Sequence, residues 1–245
     1  MTKKEIAVNF DLIVKEALSL ILFCRDQEMQ KGMADKLEIE AKHYISFKNQ
    51  AHDNNDIVFS DTLFGFHNLL NSIKFCLKSI LALKSGNPNL GWSYLIDAQE
   101  HLEFAALAKK YLYGIDGYYD QLKMMENILY PNFTIYHSPG LIEESGKCNI
   151  CNKSIDQCDH LVGVLYNGIV CFEVDKKLVA MDHSSMVTNP KDRRCIITKI
   201  STDDGYMMDY FTLKKLDKIP EEKLKNGSIM LTEGIIIHSN NLEIN

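Results

Sequence analysis

Three thiols and an imidazole fall within thirteen residues: Cys148-Asn149-Ile150-Cys151, then a six-residue gap, then Cys158-Asp159-His160. Thiolates and imidazole are the donors that zinc takes in a closed tetrahedron, at about 2.3 Å to sulfur and about 2.0 Å to nitrogen. The two-residue gap lets one tight turn aim Cys148 and Cys151 at a single ion. On extended chain, side chains two apart share a face, so Cys158 and His160 can supply the other half. The pattern predicts a structural zinc site with Cys148, Cys151, Cys158 and His160 as ligands. A redox role for the Cys-x-x-Cys pair is disfavoured, because it does not open a helix after a strand.

Cys171 competes for a position in this site. Val162–Tyr166 and Ile169–Val174 are β-branched runs joined by Asn167-Gly168, a signal for a type I′ hairpin. In that register Tyr166 faces Ile169, Cys171 faces Val164 and His160 faces Asp175. Four strand positions then separate His160 from Cys171, roughly 13 Å at the usual rise. One ion cannot take both unless the chain bends, and Gly163 can supply a bulge. Cys171 is therefore the substitute ligand if His160 faces away.

The 245 residues are 46% hydrophobic and 24% charged, enough for one large domain or two small ones. Of seven cysteines, Cys148, Cys151, Cys158 and Cys171 crowd one segment, which favours metal and a reducing, cytoplasmic setting over a secreted disulfide scaffold. Cys24 and Cys76 lie on apolar helical patterns and read as core. The first residues lack the apolar stretch of a signal peptide, and the run from Ala17 to Phe23 is too short to span a bilayer. A net charge of −6 argues against a dedicated nucleic-acid binder.

Upstream of the cysteines the pattern is helical. Residues 3–54 carry Ile6, Phe10, Ile13, Ala17, Leu20 and Cys24 at steps of three and four, continued by Met29, Met33, Leu37, Ala41 and Tyr44, with Gly32 as the expected break. Ser60 or Asp61 can cap a second helix, whose seam is Leu63, Phe66, Leu70, Ile73, Leu77 and Ile80. Asn87, with Pro88 at the first position, opens a third, expected to run to Tyr113 and Gly114. A fourth spans about 118–129. Pro131, Pro139, Gly140 and Gly146 mark a lead-in. Short strands are expected at 178–181 and 195–200, a helix start at 219–224 and a last hairpin at 228–238. The expected class is α+β: an all-α helical bundle over residues 1–130, then a small β-rich zinc-binding module with a C-terminal hairpin over 131–245.

Cys148-x-x-Cys151, Cys158-x-His160, Gly163, Tyr166-x-Gly168, Cys171 and Ser185-Met186-Val187-x-x-Pro190 together resemble a small cysteine-rich zinc module of uncharacterised bacterial and phage-related proteins. The resemblance spans about residues 148–195. It implies zinc and a bacterial or mobile-element setting, and it carries no activity.

Other constellations fall short of a site. Glu40-x-x-His43 has di-iron spacing but no second such pair. Asp97, Glu100, His101 and Glu103 read as exposed helix charge. Lys191, Arg193, Arg194 and Lys199 form a basic cluster that phosphate could contact. Trp92, Tyr111, Tyr113, Tyr118 and Tyr119 could form an interaction patch, or core. The reading favoured by the sequence is a non-enzymatic accessory or adaptor protein that binds a protein partner or itself. The alternatives are a hydrolase, perhaps a nuclease, with its site on the bundle, and a nucleic-acid-binding zinc module acting through Lys191, Arg193 and Arg194.

Overall fold

The computed structural model describes residues 2–21, 24–112 and 114–220. Its helices are α1 (Lys3–Ser19), α2 (Gln27–Asp53), α3 (Ile57–Lys84), α4 (Pro88–Leu107) and α5 (Ile115–Leu129). Its strands are β1 (Tyr136–Glu144), β2 (Lys147–Cys148), β3 (Leu165–Tyr166), β4 (Ile169–Val170), β5 (Glu173–Val174), β6 (Lys177–Val187), β7 (Lys199–Ser201), β8 (Tyr206–Asp209) and β9 (Lys215–Lys218). The fold is α+β, helices first and small sheets after. The hairpin expected at 228–238 and the helix expected to continue past Pro220 lie outside the described residues.

The chain forms two compact units. One is Met1–Glu126 with Glu144–Lys177, the other Asn127–Glu143 with Leu178–Asn245. This differs from the boundary expected at residue 130. The cysteine-rich segment belongs with the helices, and the residues on either side of it belong together.

In the first unit α3 is the centre. Its mean composition is apolar around much of its circumference, as a helix packed on several sides must be. Leu63, Leu70, Ile73, Cys76 and Leu77 are fully buried. Phe66 on α3 stacks on Phe10 of α1 with centroids 3.7 Å apart, and Tyr44 of α2 meets both rings edge-on at 5.8 Å. Trp92, Leu95 and Leu102 of α4 and Leu122 and Met125 of α5 complete the core.

The first helical stretch breaks earlier than expected. Gly32 lies inside α2; α1 ends at Ser19 and α2 starts at Gln27, where the Asp26 carboxylate accepts from the N–H groups of Glu28 and Met29. Cys24, expected in the core, is half-buried in this connection. Likewise α3 starts at Ile57 under an Asp56 cap, so Ser60 and Asp61 lie within it. The Asn87 cap and Pro88 open α4 as expected, but α4 stops at Leu107 and a 3-10 turn (Lys109–Tyr111) follows.

In the second unit Phe133 packs against Tyr210 and Phe211 at 5.6 and 5.4 Å, over buried Ile196, Ile197 and Met207. β7, β8 and β9 form an antiparallel sheet, and β1 pairs with β6. Arg194 is buried here. Its guanidinium donates to Asp192 Oδ1 at 3.0 Å and its backbone N–H to the same oxygen at 2.9 Å. That use as an internal brace sets it apart from the basic surface cluster in which the sequence placed it.

Candidate metal centre

Cys148 ends β2, which pairs with β5 as Lys147↔Val174 and Cys148↔Glu173. The chain then folds back in a tight knuckle. Asn152 N–H donates to Cys148 O and Cys148 N–H to Lys153 O, both at 2.9 Å. Asn152 sits at φ +57, a left-handed position that asparagine tolerates. The turn aims the Ile150 N–H at Cys148 Sγ, 3.4 Å away. A 3-10 turn (Ile155–Gln157) delivers Cys158, whose sulfur accepts from His160 N–H at 3.2 Å. Both sulfurs thus receive backbone donors, the arrangement that stabilises thiolate ligands.

The ligand atoms of Cys148, Cys151, Cys158 and His160 all lie within 4.8 Å of one another, close enough to hold one metal ion. Cys151 Sγ is 3.4 Å from Cys158 Sγ. His160 presents Nδ1 to the sulfurs, 3.3 Å from Cys158 and 3.8 Å from Cys148. The ring is braced edge-on by Tyr166 at 4.9 Å, and the Tyr166 hydroxyl accepts from Leu161 N–H at 3.0 Å. Among the thiols Cys148 stands apart. Burial alone would raise it, but N–H donors from Cys151 and Ile150 and the neighbouring thiols outweigh that and bring it down to about 6. Burial pushes Cys158 and Cys171 up to about 11.

The expected hairpin register is present: Leu165↔Val170 and Tyr166↔Ile169, with Cys171 N–H donating to Val164 O at 2.9 Å. The bend that the ligand geometry required is at Gly163, φ +84, whose N–H donates to Cys171 O at 2.8 Å. The hairpin does not continue to His160. β5 leaves it to pair with β2, so the expected His160–Asp175 pairing is absent and His160 swings to the quartet. Cys171 is buried, with Sγ 3.7 Å from Cys148 Sγ.

The tip of this hairpin is set into the helices. Asn167 O accepts from His52 Nδ1 at 2.8 Å and from Ser60 Oγ at 3.0 Å. Gly168 N–H donates to Asp61 Oδ1 at 2.7 Å. Phe172 meets Phe104 of α4 edge-on at 5.8 Å. These contacts are why the cysteine-rich segment joins the helical unit. Ser60 and Asp61, expected as helix caps, instead hold the hairpin tip together with His52.

The remaining candidates separate. His43 is exposed, 3.6 Å from Glu40. His101, expected on a charged surface, is buried against Asn68 Oδ1 at 2.9 Å and stacked on Phe75. Trp92 and Tyr118 are core, whereas Tyr119 is exposed. A polar chain missed in the sequence crosses α3: His67 Nδ1 to Ala41 O at 3.0 Å, Asn71 Nδ2 to His67 Nε2 at 2.9 Å, then Lys74 Nζ to Asn71 Oδ1 at 2.7 Å and to Glu38 Oε2 at 2.6 Å. No helix of the described residues is long and apolar enough to cross a membrane.

No known protein family, curated protein or solved structure matches the chain.

Proposed function

We propose that the ion held by Cys148, Cys151, Cys158 and His160 is zinc, that it is structural, and that the protein acts by interaction as an accessory or adaptor in a cytoplasmic, bacterial or phage-related system. The observation that carries this reading is the closed quartet of ligand atoms within 4.8 Å of one another. Four protein donors satisfy tetrahedral zinc and leave no position for the water or substrate that a catalytic zinc keeps. What the ion supplies is shape: it holds the knuckle and the hairpin, and the hairpin tip is seated on α2 and α3. Elemental analysis of protein purified without chelator should find about one zinc per chain, and X-ray absorption should find sulfur and nitrogen donors only. Protein without stoichiometric metal, or zinc with a bound water, would overturn it.

A further inference from the structure

Five donors surround a centre that needs four. Cys148 Sγ lies 3.8 Å from His160 Nδ1 and 3.7 Å from Cys171 Sγ, so two donors flank the same thiol. In a tetrahedron with sulfur bonds of about 2.3 Å, neighbouring sulfurs stand about 3.8 Å apart. Cys171 is therefore already at ligand spacing from Cys148, although it is outside the mutually close quartet.

The two donors are held very differently. Cys171 is fully buried, and both of its neighbours are tied to the knuckle by one side chain. Asn149 Nδ2 donates to Val170 O at 2.9 Å, and Asn149 Oδ1 accepts from Phe172 N–H at 2.8 Å. The backbone of Cys171 itself bonds Gly163 and Val164. His160 is half-buried on a loop, and the residues that follow it, Leu161 and Val162, are 67% and 57% exposed. Release of His160 gives up the Tyr166 ring contact and the Leu161 N–H bond to the Tyr166 hydroxyl on an exposed loop, whereas Cys171 is held beside Cys148.

We propose that Cys171 is a standby ligand, which takes the fourth position when His160 leaves it and so carries the centre from three thiolates and one imidazole to four thiolates without loss of the ion. The proposal rests on the metal-centre reading above. In the exchange the metal–nitrogen bond breaks and a metal–sulfur bond forms, and the thiol proton of Cys171 passes to the freed imidazole. No oxidant or reductant is involved. The result is a site with two ligation states, and the switch between them moves the loop carrying Leu161 and Val162.

Four proteins test it under reducing conditions: wild type, His160→Ala, Cys171→Ser, and the variant carrying both changes. Zinc per chain is read by elemental analysis and chelator competition, thiolate number by the charge-transfer absorption of the cobalt-loaded form, and folding by helical circular dichroism. His160→Ala should keep about one metal per chain, with charge transfer about a third stronger, as a fourth thiolate joins three. Cys171→Ser should match wild type in both. The combined variant should bind more than about 100-fold more weakly than His160→Ala, beyond the loss typical for outer-sphere partners. Equal binding by His160→Ala and the combined variant would overturn the proposal and leave Cys171 a packed thiol. Weaker charge transfer in Cys171→Ser would also overturn it, by making Cys171 a resident ligand. Wild type with metal and His160→Ala without it would overturn this inference alone, whereas wild type without metal would overturn the metal-centre reading itself.

Discussion

The backbone N–H of Gly168 donates to the Asp61 carboxylate at 2.7 Å across 107 residues of sequence, and Asp61 is only 7% exposed. This bond, with the two donors that converge on Asn167 O, fastens the tip of the cysteine-rich segment to α2 and α3. Burial raises the Asp61 carboxyl while the Gly168 N–H lowers it, and burial prevails. The hairpin turn therefore shields a group that has little other reason to be inside a helix bundle.

Gly168 cannot be replaced cheaply. A Cβ there would stand 2.2 Å from Ser60 Oγ and 3.2 Å from Ser60 O, on a backbone at φ +76. The left-handed conformation alone costs an alanine roughly 1–2 kcal/mol, and the close approach adds to it. Gly168→Ala should therefore lower unfolding stability by about 2 kcal/mol or more. Asp61→Asn, which keeps the acceptor and loses the charge, should be milder than Asp61→Leu, which leaves the Gly168 N–H buried and unpaired. Denaturant unfolding of the three variants checks this. Equal midpoints for Gly168→Ala and wild type would mean that the tip is not seated as described.

Metal removal should be felt beyond the cysteines. The ligands fix the knuckle, the knuckle fixes Val170 and Phe172 through Asn149, and the same hairpin carries Asn167 and Gly168. Cys151→Ser, or a strong chelator, should raise hydrogen exchange across residues 145–176 and also at the facing ends of α2 and α3, around His52 and Ser60. The middle of α3, packed on α2 and α4, should keep its protection. Exchange confined to 145–176 would show that the tip stays docked without metal.

The Asn87-Pro88 start of α4, the Asn167-Gly168 turn and the gathering of Cys148, Cys151, Cys158 and His160 each depend on a few adjacent residues whose geometry is nearly self-determined. The failures are of two physical kinds. Periodicity can run on past a helix end: Ile6 to Cys24 keeps steps of three and four beyond the end of α1 at Ser19, and Met29 to Tyr44 resumes them in α2 after a step of five. The cues are the Asp26 cap and the step of five from Cys24 to Met29. The second kind is long-range. Ser60 and Asp61 have cap chemistry, and nothing near them in sequence says that their partners are Asn167 and Gly168. Pro131, Pro139 and Gly140 signal an irregular lead-in, but composition cannot say that residues 144–177 return to the helices while 178 onward joins 127–143.

His67 makes stability depend on pH. Burial holds its imidazole down from an ordinary 6.5 to about 4, against the Ala41 carbonyl bond that favours the proton. Between those values the unfolded chain binds a proton that the folded chain refuses. Stability therefore falls as pH drops from about 6.5 to about 4, and the contribution levels off below, where both states are protonated. The gap corresponds to a loss on the order of 3 kcal/mol. His67→Gln should flatten this part of the stability–pH curve for the helical unit, read by urea midpoints from pH 7 to pH 4. A variant as acid-sensitive as wild type would assign the effect to other groups.

The polar chain beside His67 should behave as one unit. Asn71 donates to His67 Nε2 and accepts from Lys74 Nζ, and Lys74 completes its bonding on Glu38 Oε2. The Lys74 side chain is 7% exposed and Glu38 41% exposed, so the pair lies at the rim of the core. Burial lowers the Lys74 amine, and the Glu38 carboxylate opposes the shift. Asn71→Leu keeps the apolar volume close but strands a buried acceptor on His67 and one donor on Lys74, at about 1–3 kcal/mol for each unsatisfied group. Lys74→Met removes the charge and leaves Asn71 Oδ1 without that donor. If the chain is cooperative, the combined variant should be less destabilised than the sum of the two single changes, because each removes a group that the other leaves unpaired. A double-mutant cycle in denaturant should give a coupling of about 1 kcal/mol or more. Additive effects would mean that Asn71 and Lys74 act independently, with Glu38 alone satisfying the amine.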